Sequence, residues 1–229
     1  MSRKGVGPNK SNQIYCTVRD DIIQGVYPGG TFITESALCE QFSVSRTPVR
    51  EALIRLAQDC FVELIPNKGA IVPHVTIHDI VEVLQLRMAN EGLAAALVAE
   101  NRSDSLLQKL ENSVVREEAL LAADTADPLE ISKEDFVFHT LLMNNCGNRR
   151  LQQMMEMIDN QMRRFARAMA DEYAAQTTLP RSVVYHRQAL EAIRAQDGKA
   201  AQGILSDHWQ VMLNGYVHRS LAGILPNQI

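Results

Sequence analysis

The sequence predicts a mainly α-helical chain in two parts: three helices closed by a β-hairpin, then an all-α bundle of six to seven helices. Three observations carry this prediction. Apolar residues recur at helical spacing in three short segments before residue 60, and two β-type runs then flank the turn "PNKG". From Thr76 onward the pattern is helical almost throughout, with no convincing strand run. With 229 residues, 46% of them hydrophobic, the chain can bury two modest cores. Residues 1–10 are expected to form a flexible N-terminus, 11–75 the first domain and 76–229 the second, with a hinge at Pro73–Thr76.

From Ser11, Ile14, Val18 and Ile22 fall at i, i+4 and i+8, and the helix breaks at "YPGG". A second helix runs from Thr34 as N-cap to about Phe42, with Leu38 and Phe42 facing inward. The third begins at Ser43 or Ser45 and carries Val49, Ala52, Leu53 and Leu56 on one arc. Pro48 lies in its first turn, where a missing N–H is no loss. The β-type runs are 61–65 and 70–73. Thr76 and Asp79 open the next helix as a capping pair, and it continues to about Glu100. Further helices are expected near 103–123, 129–146, 148–174, 180–196 and 198–220, separated by "ADTADP", "CGN", "TTLP" and "QDGK".

The first fifteen residues lack the apolar core of a signal peptide, and "GLAAALVA" is too short to span a bilayer, so a cytoplasmic protein with no membrane partner is expected. Cys16, Cys39, Cys60 and Cys146 lie far apart without a Cys-x-x-Cys pair, which argues against a disulfide framework or thiolate zinc site and for buried, reduced thiols. The formal net charge of −4 is uneven. Residues 1–75 hold eight Lys+Arg against seven Asp+Glu, which leaves fifteen against twenty for the rest.

Three helices followed by a hairpin are the order of a winged helix-turn-helix. In "SVSRTPVREAL", Arg46, Thr47 and Arg50 fall outside the apolar arc of the third helix, near its start at Ser45. A recognition helix places its first turns in the major groove of double-stranded DNA in this way, and arginine pairs with guanine edges or phosphate. Lys68 and Gly69 would sit at the wing tip, where glycine permits positive φ and close approach to DNA. The short motif alone fits solvated surface arginines equally well; the order of elements favours DNA.

In the bundle, Asp135 and His139 are four apart and share a helix face, while His186 and His208 lie in apolar stretches of two other helices. Unpartnered imidazoles there would be costly. Three imidazoles and a carboxylate suit a divalent metal, zinc first, with nickel, manganese or iron as alternatives. The bland alternative is a set of separately satisfied core histidines. His74, His78 and His218 show no comparable arrangement.

These residues resemble a known family over nearly the whole chain. "IYCTVRDDIIQGVYPGG" through "SRTPVREALIRLAQDCFVELIPNKGAIV" is similar to the winged-helix domain of the GntR transcription regulators. "LQLRMANEGLAAALVAE", "DFVFHTLLMNNCGNRRL", "YHRQALEAIRAQDGKAA" and "SDHW" resemble the all-helical FCD effector domain of the FadR-type subgroup. The resemblance implies a homodimeric, ligand-responsive repressor that binds a near-palindromic operator. It implies a metal on Asp135, His139, His186 and His208, and a small carboxylate effector touching Arg87 and Asn148. Arg163 and Arg167 are added by spacing alone. Two departures stand out: Cys60 replaces the family's glycine at the end of the recognition helix, where cysteine resists the left-handed conformation, and Ser36 stands where some members read DNA with arginine. The rival reading is a metal-dependent enzyme acting on a small carboxylate. It needs an acid or base beyond the ligands, and Glu134 and Asp207, adjacent to ligands in sequence, point elsewhere on a helix.

Overall fold

The computed structural model describes residues 10–123, 127–168 and 179–221. The expected flexible residues 1–9 and the stretch 169–174 of a predicted helix lie outside them. The chain divides into two compact units that part between Val75 and Thr76.

In the first unit, α1 (Lys10–Ile23) buries Ile14, Tyr15, Val18 and Ile22. β1 (Phe32–Thr34) follows and leads into α2 (Glu35–Phe42), whose N-cap Thr34 accepts a 3.1 Å hydrogen bond from the Ala37 amide. α2 closes on Ser43 in the left-handed region, so α3 (Arg46–Gln58) starts after Ser45. Ser45 makes no side-chain capping bond. Val49, Ala52, Leu53 and Leu56 are buried as the apolar arc requires. The wing is shorter than its sequence pattern: β2 (Glu63–Ile65) and β3 (Gly69–Ile71) replace the runs 61–65 and 70–73, while Phe61 and Val62 are buried before β2 begins.

The sheet has a third strand. β3 lies between β2 and β1, both antiparallel to it, with Ile33 opposite Ala70 and Thr34 opposite Gly69. Three residues are too few for alternation to announce β1 in the sequence; long-range pairing defines it. A Cβ on Gly69, at φ 143°, would stand 2.1 Å from the Ile33 carbonyl oxygen.

The junction between α3 and the wing keeps the form a glycine would give it. Cys60 adopts φ 60°, its amide donates to Ala57 O at 3.1 Å, and Phe61 N donates to Leu56 O at 2.8 Å. This is a complete Schellman cap with cysteine in the left-handed position. The expectation of four buried thiols is also corrected: Cys146 is buried, Cys16 and Cys39 are half-buried, and Cys60 is exposed, because the C-terminal turn of α3 faces outward.

The second unit consists, among the described residues, of α4 (Ile77–Asn101), α5 (Asp104–Leu121), α6 (Pro128–Asn145), α7 (Arg149–Ala168), α8 (Leu179–Arg194) and α9 (Gly198–Leu221). A capping box joins Thr76 and Asp79 at the start of α4, and Ser103 caps α5. α4 is central and packs on α6, α7, α8 and α9. It lies close against α9 at Gly92, where a Cβ would meet Ser206 Oγ at 2.9 Å. The apolar core is built from Ala94, Ala95, Val98, Leu110, Phe138, Leu142, Leu190 and Leu205.

Candidate metal centre and nucleic-acid interface

Faces of three helices converge beside that core. α6 supplies Asp135 and His139 one turn apart, α8 supplies His186 and α9 supplies His208. One candidate ligand atom from each lies within 4.8 Å of all the others. The His139 and His186 Nε2 atoms are 3.1 Å apart, and each lies 3.7 Å from an oxygen of Asp135. The three histidines are at most 2% exposed. Asp135 is anchored from outside by the hydroxyl of Ser182, which donates to Oδ1.

The opposite ring nitrogens determine what those Nε2 atoms can do. His186 Nδ1 is hydrogen-bonded to Glu117 Oε2 at 2.7 Å, whereas His139 Nδ1 lies 2.6 Å from Glu91 Oε2 without hydrogen-bond geometry. A neutral imidazole has one N–H, so directing it at a carboxylate leaves Nε2 with its lone pair. That lone pair of His186 faces His139 Nε2 beside a carboxylate, and buried His208 Nε2 has no hydrogen-bond partner. Convergent donors of this kind repel unless a cation draws them together. The residues present therefore fit a divalent metal.

Burial holds all three imidazoles below their usual range and hence neutral, His139 and His208 well below it. Asp135 is pushed up to about 6, chiefly by burial, with His186 pulling the other way. Burial, with Glu134 and Glu118 adding to it, raises Glu117 to about 8.

Of the expected effector residues, Arg87 is fully buried next to this site. Its Nε donates to Glu91 Oε1 at 2.7 Å and Nη2 donates to the same oxygen. Trp209 Nε1 donates to the second Glu91 oxygen at 2.7 Å, so one carboxylate joins α4, α6 and α9. The Asn148 amide oxygen accepts from the Arg150 and Leu151 amides at 3.1 Å and caps α7. Arg163 and Arg167 do not face the core, since both are exposed, and the buried arginine of α7 is Arg164. His74 packs over Gly29 and Gly30, exposed His78 pairs with Glu82 at 3.1 Å, and the His218 side chain lies outside the described residues. The sequence reading missed Glu91 and Glu117 as partners of the histidines. Glu91 is signalled by its spacing from Arg87, whereas Glu117 reaches His186 across 69 residues with no local signal.

On the first unit, Ser45, Arg46, Thr47, Arg50 and Lys68 are all exposed. Arg46, Thr47 and Arg50 share the outer face of α3. Arg50 is already oriented, its Nε donating to Glu35 Oε1 at 2.8 Å while its side chain stays 50% exposed. Gly69 is buried with a positive φ, and β1 leaves no room for a Cβ on it; Asn67 and Lys68 are beside it in the wing turn.

Comparison with known proteins follows this division. Residues 10–72 match the family model for bacterial regulatory proteins of the gntR family, and residues 82–211 match that of the FCD domain. An uncharacterized HTH-type transcriptional regulator, YdhC of Bacillus subtilis, is 28% identical over 199 residues and 86% of each chain. The galactonate operon transcriptional repressor of Escherichia coli is 27% identical across 85% of this chain and 91% of its own. The HTH-type transcriptional repressor RspR, also of E. coli, is 25% identical across 87% and 86%. Two solved structures share the fold at 22% identity: E. coli McbR/YncC, with a TM-score of 0.71 over 93% of this chain and 100% of that one, and a transcriptional regulator from Rhodococcus sp. RHA1, with 0.72 over 92% and 99%.

Proposed function

We infer, for a chain that belongs to the GntR family of bacterial regulatory proteins and carries an FCD domain, that it represses transcription and that a metal-bound organic acid controls its grip on DNA. DNA binding and regulation follow from the family. The metal, the acid and the sign of control are our reading, and the names of two relatives as repressors support that sign. The observation that carries it is the convergence of ring nitrogens of His139, His186 and His208 with the Asp135 carboxylate within 4.8 Å of one another, His208 Nε2 being buried without a hydrogen-bond partner.

Asp135, His139, His186 and His208 would hold the cation, zinc first, and nickel, manganese or iron suit the same donors. A bound metal with positions left open accepts a carboxylate oxygen. Glu117 keeps His186 in the metal-binding tautomer, Glu91 stands 2.6 Å from His139 Nδ1, and Arg87 contributes positive charge. An acid at this centre meets side chains from α4, α6, α8 and α9, so a shift among them can reach the operator-binding unit with a coupling of about 1–3 kcal/mol. Two copies pair and set their winged helices on successive half-sites of a near-palindromic operator. The enzyme reading has less behind it: Glu134 is held by Arg116 at 3.0 Å and Asp207 is exposed, so neither serves as a base at the ligands.

The test is to incubate purified protein with sheared genomic DNA at near-physiological salt, sequence what is retained, and measure metal content by atomic emission. Enrichment of an inverted repeat that is released by a carboxylate only from metal-loaded protein is expected. Equal operator affinity with and without every acid that binds would sink the regulatory reading. Turnover of any carboxylate would revive the enzyme.

A further inference from the structure

Arg87 directs Nε and Nη2 at Glu91. Its Nη1 lies 3.2 Å from Asp159 Oδ1 of α7, yet neither atom makes a hydrogen bond and both are buried. Opposite charges that face each other without a directed bond are held by Coulomb attraction alone, and an anion with better alignment can replace one of them at small loss. The two partners differ in access. The Arg87 side chain has no exposed area, whereas 20% of Asp159 is exposed, so an anion entering past α7 meets Asp159 before Arg87. Burial raises the Asp159 carboxyl, with Arg87 as the principal opposing influence and Arg163 a lesser one. Arg163 is one turn beyond on the same helix, exposed, its guanidinium 5.6 Å from the Phe136 ring centre. Residues four apart on a helix can pair.

We propose that Asp159 is a built-in occupant of the anion position at Arg87: a carboxylate ligand binds by displacing it from Nη1, and the displaced side chain pairs with Arg163. This rests on reading the helical unit as an acid-binding domain, and it makes Asp159 a determinant of which ligands bind. A ligand must bring an anionic oxygen that gives Nη1 the directed bond Asp159 lacks. Neutral polyols do not displace it.

Trp209 is the chain's single tryptophan; its ring centre lies 4.4 Å from the Arg87 guanidinium and 4.7 Å from the rings of His139 and His208, so its fluorescence reports events at Arg87 and is followed on metal-free as well as cobalt-loaded protein. The full chain, loaded with cobalt, is titrated with acetate and with glycolate while Trp209 emission and the cobalt absorption bands are followed. Removing the internal competitor raises the fraction of chains ready to bind, so Asp159→Asn lowers the acid midpoint by about tenfold. Arg163→Gln, which removes the alternative partner, raises it. A midpoint that is unchanged or higher in Asp159→Asn, or a Trp209 signal that stays silent with both acids in that variant, overturns the proposal. Missing cobalt bands together with a normal Trp209 response refute the metal reading and leave the exchange at Arg87 standing.

Discussion

Replacing Cys60 by glycine should stabilise the operator-binding unit. The thiol residue sits at φ 60°, in the left-handed region, with both bonds of the Schellman cap formed. For an L-residue that conformation costs about 1–2 kcal/mol, which glycine avoids. Glycine in turn has more backbone freedom to lose on folding, roughly 0.5–1 kcal/mol. The balance is a gain of about 0.5–1 kcal/mol, equivalent to roughly 2–8 °C for a unit of this size. Alanine at the same position keeps the Cβ and loses the thiol, so Cys60→Ala is the reference that isolates the backbone contribution. The assay is urea and thermal unfolding of the full chain, followed through the first transition by circular dichroism. A Cys60→Gly protein no more stable than Cys60→Ala would refute the argument, because the left-handed cap would then carry no strain. Gly69→Ala is its counterpart and is strongly destabilising, since its methyl group would press on the Ile33 carbonyl.

Four further outcomes follow from the same geometry. Glu117→Gln keeps all four candidate ligands but weakens the hold on the His186 tautomer, and metal affinity, measured by chelator competition, should fall by about 10–100-fold. His208→Ala should cost more than that, and equal affinities for both variants would remove His208 from the site. Arg46→Ala should weaken operator binding by about 1–3 kcal/mol, and if Arg46 meets phosphate the slope of log affinity against log salt should shrink by about 0.9. Tyr15, raised to about 12 by burial and by its hydrogen bond to Asp59, gives the first unit stability that is complete below pH 10. That stability is lost as pH rises through 12. Absorbance at 295 nm should show Tyr15 titrating late, as does Tyr27, which burial also raises, and Tyr15→Phe should remove the Tyr15 part of the alkaline loss.

Local chemistry made much of the fold legible. Thr34, the Thr76–Asp79 pair and Ser103 each form a cap through atoms three residues apart or fewer, and the Val49–Leu56 arc follows from 100° per residue. Interactions of this range are set by sequence spacing, so the sequence alone determines where most helices begin and which face they bury. It also determines that Asp135 and His139 share a face, and it presents the arginines of α3 outward.

Pairings between distant segments required the tertiary structure. β1 exists because Ile33 meets Ala70, and Gly69 is needed because Ile33 O stands where its Cβ would be. Asn148 caps α7 through its amide oxygen, and Arg50 is held by Glu35 from the neighbouring helix. The sequence shows four possible ligands on three helices, but it does not show Glu91 and Glu117 behind two of them, nor Asp159 in front of Arg87. The physical reason is range. Caps and amphipathic faces are decided within one or two helical turns, whereas burial of charge and the tautomer of a histidine depend on whichever side chain the fold brings to the other side of the ring.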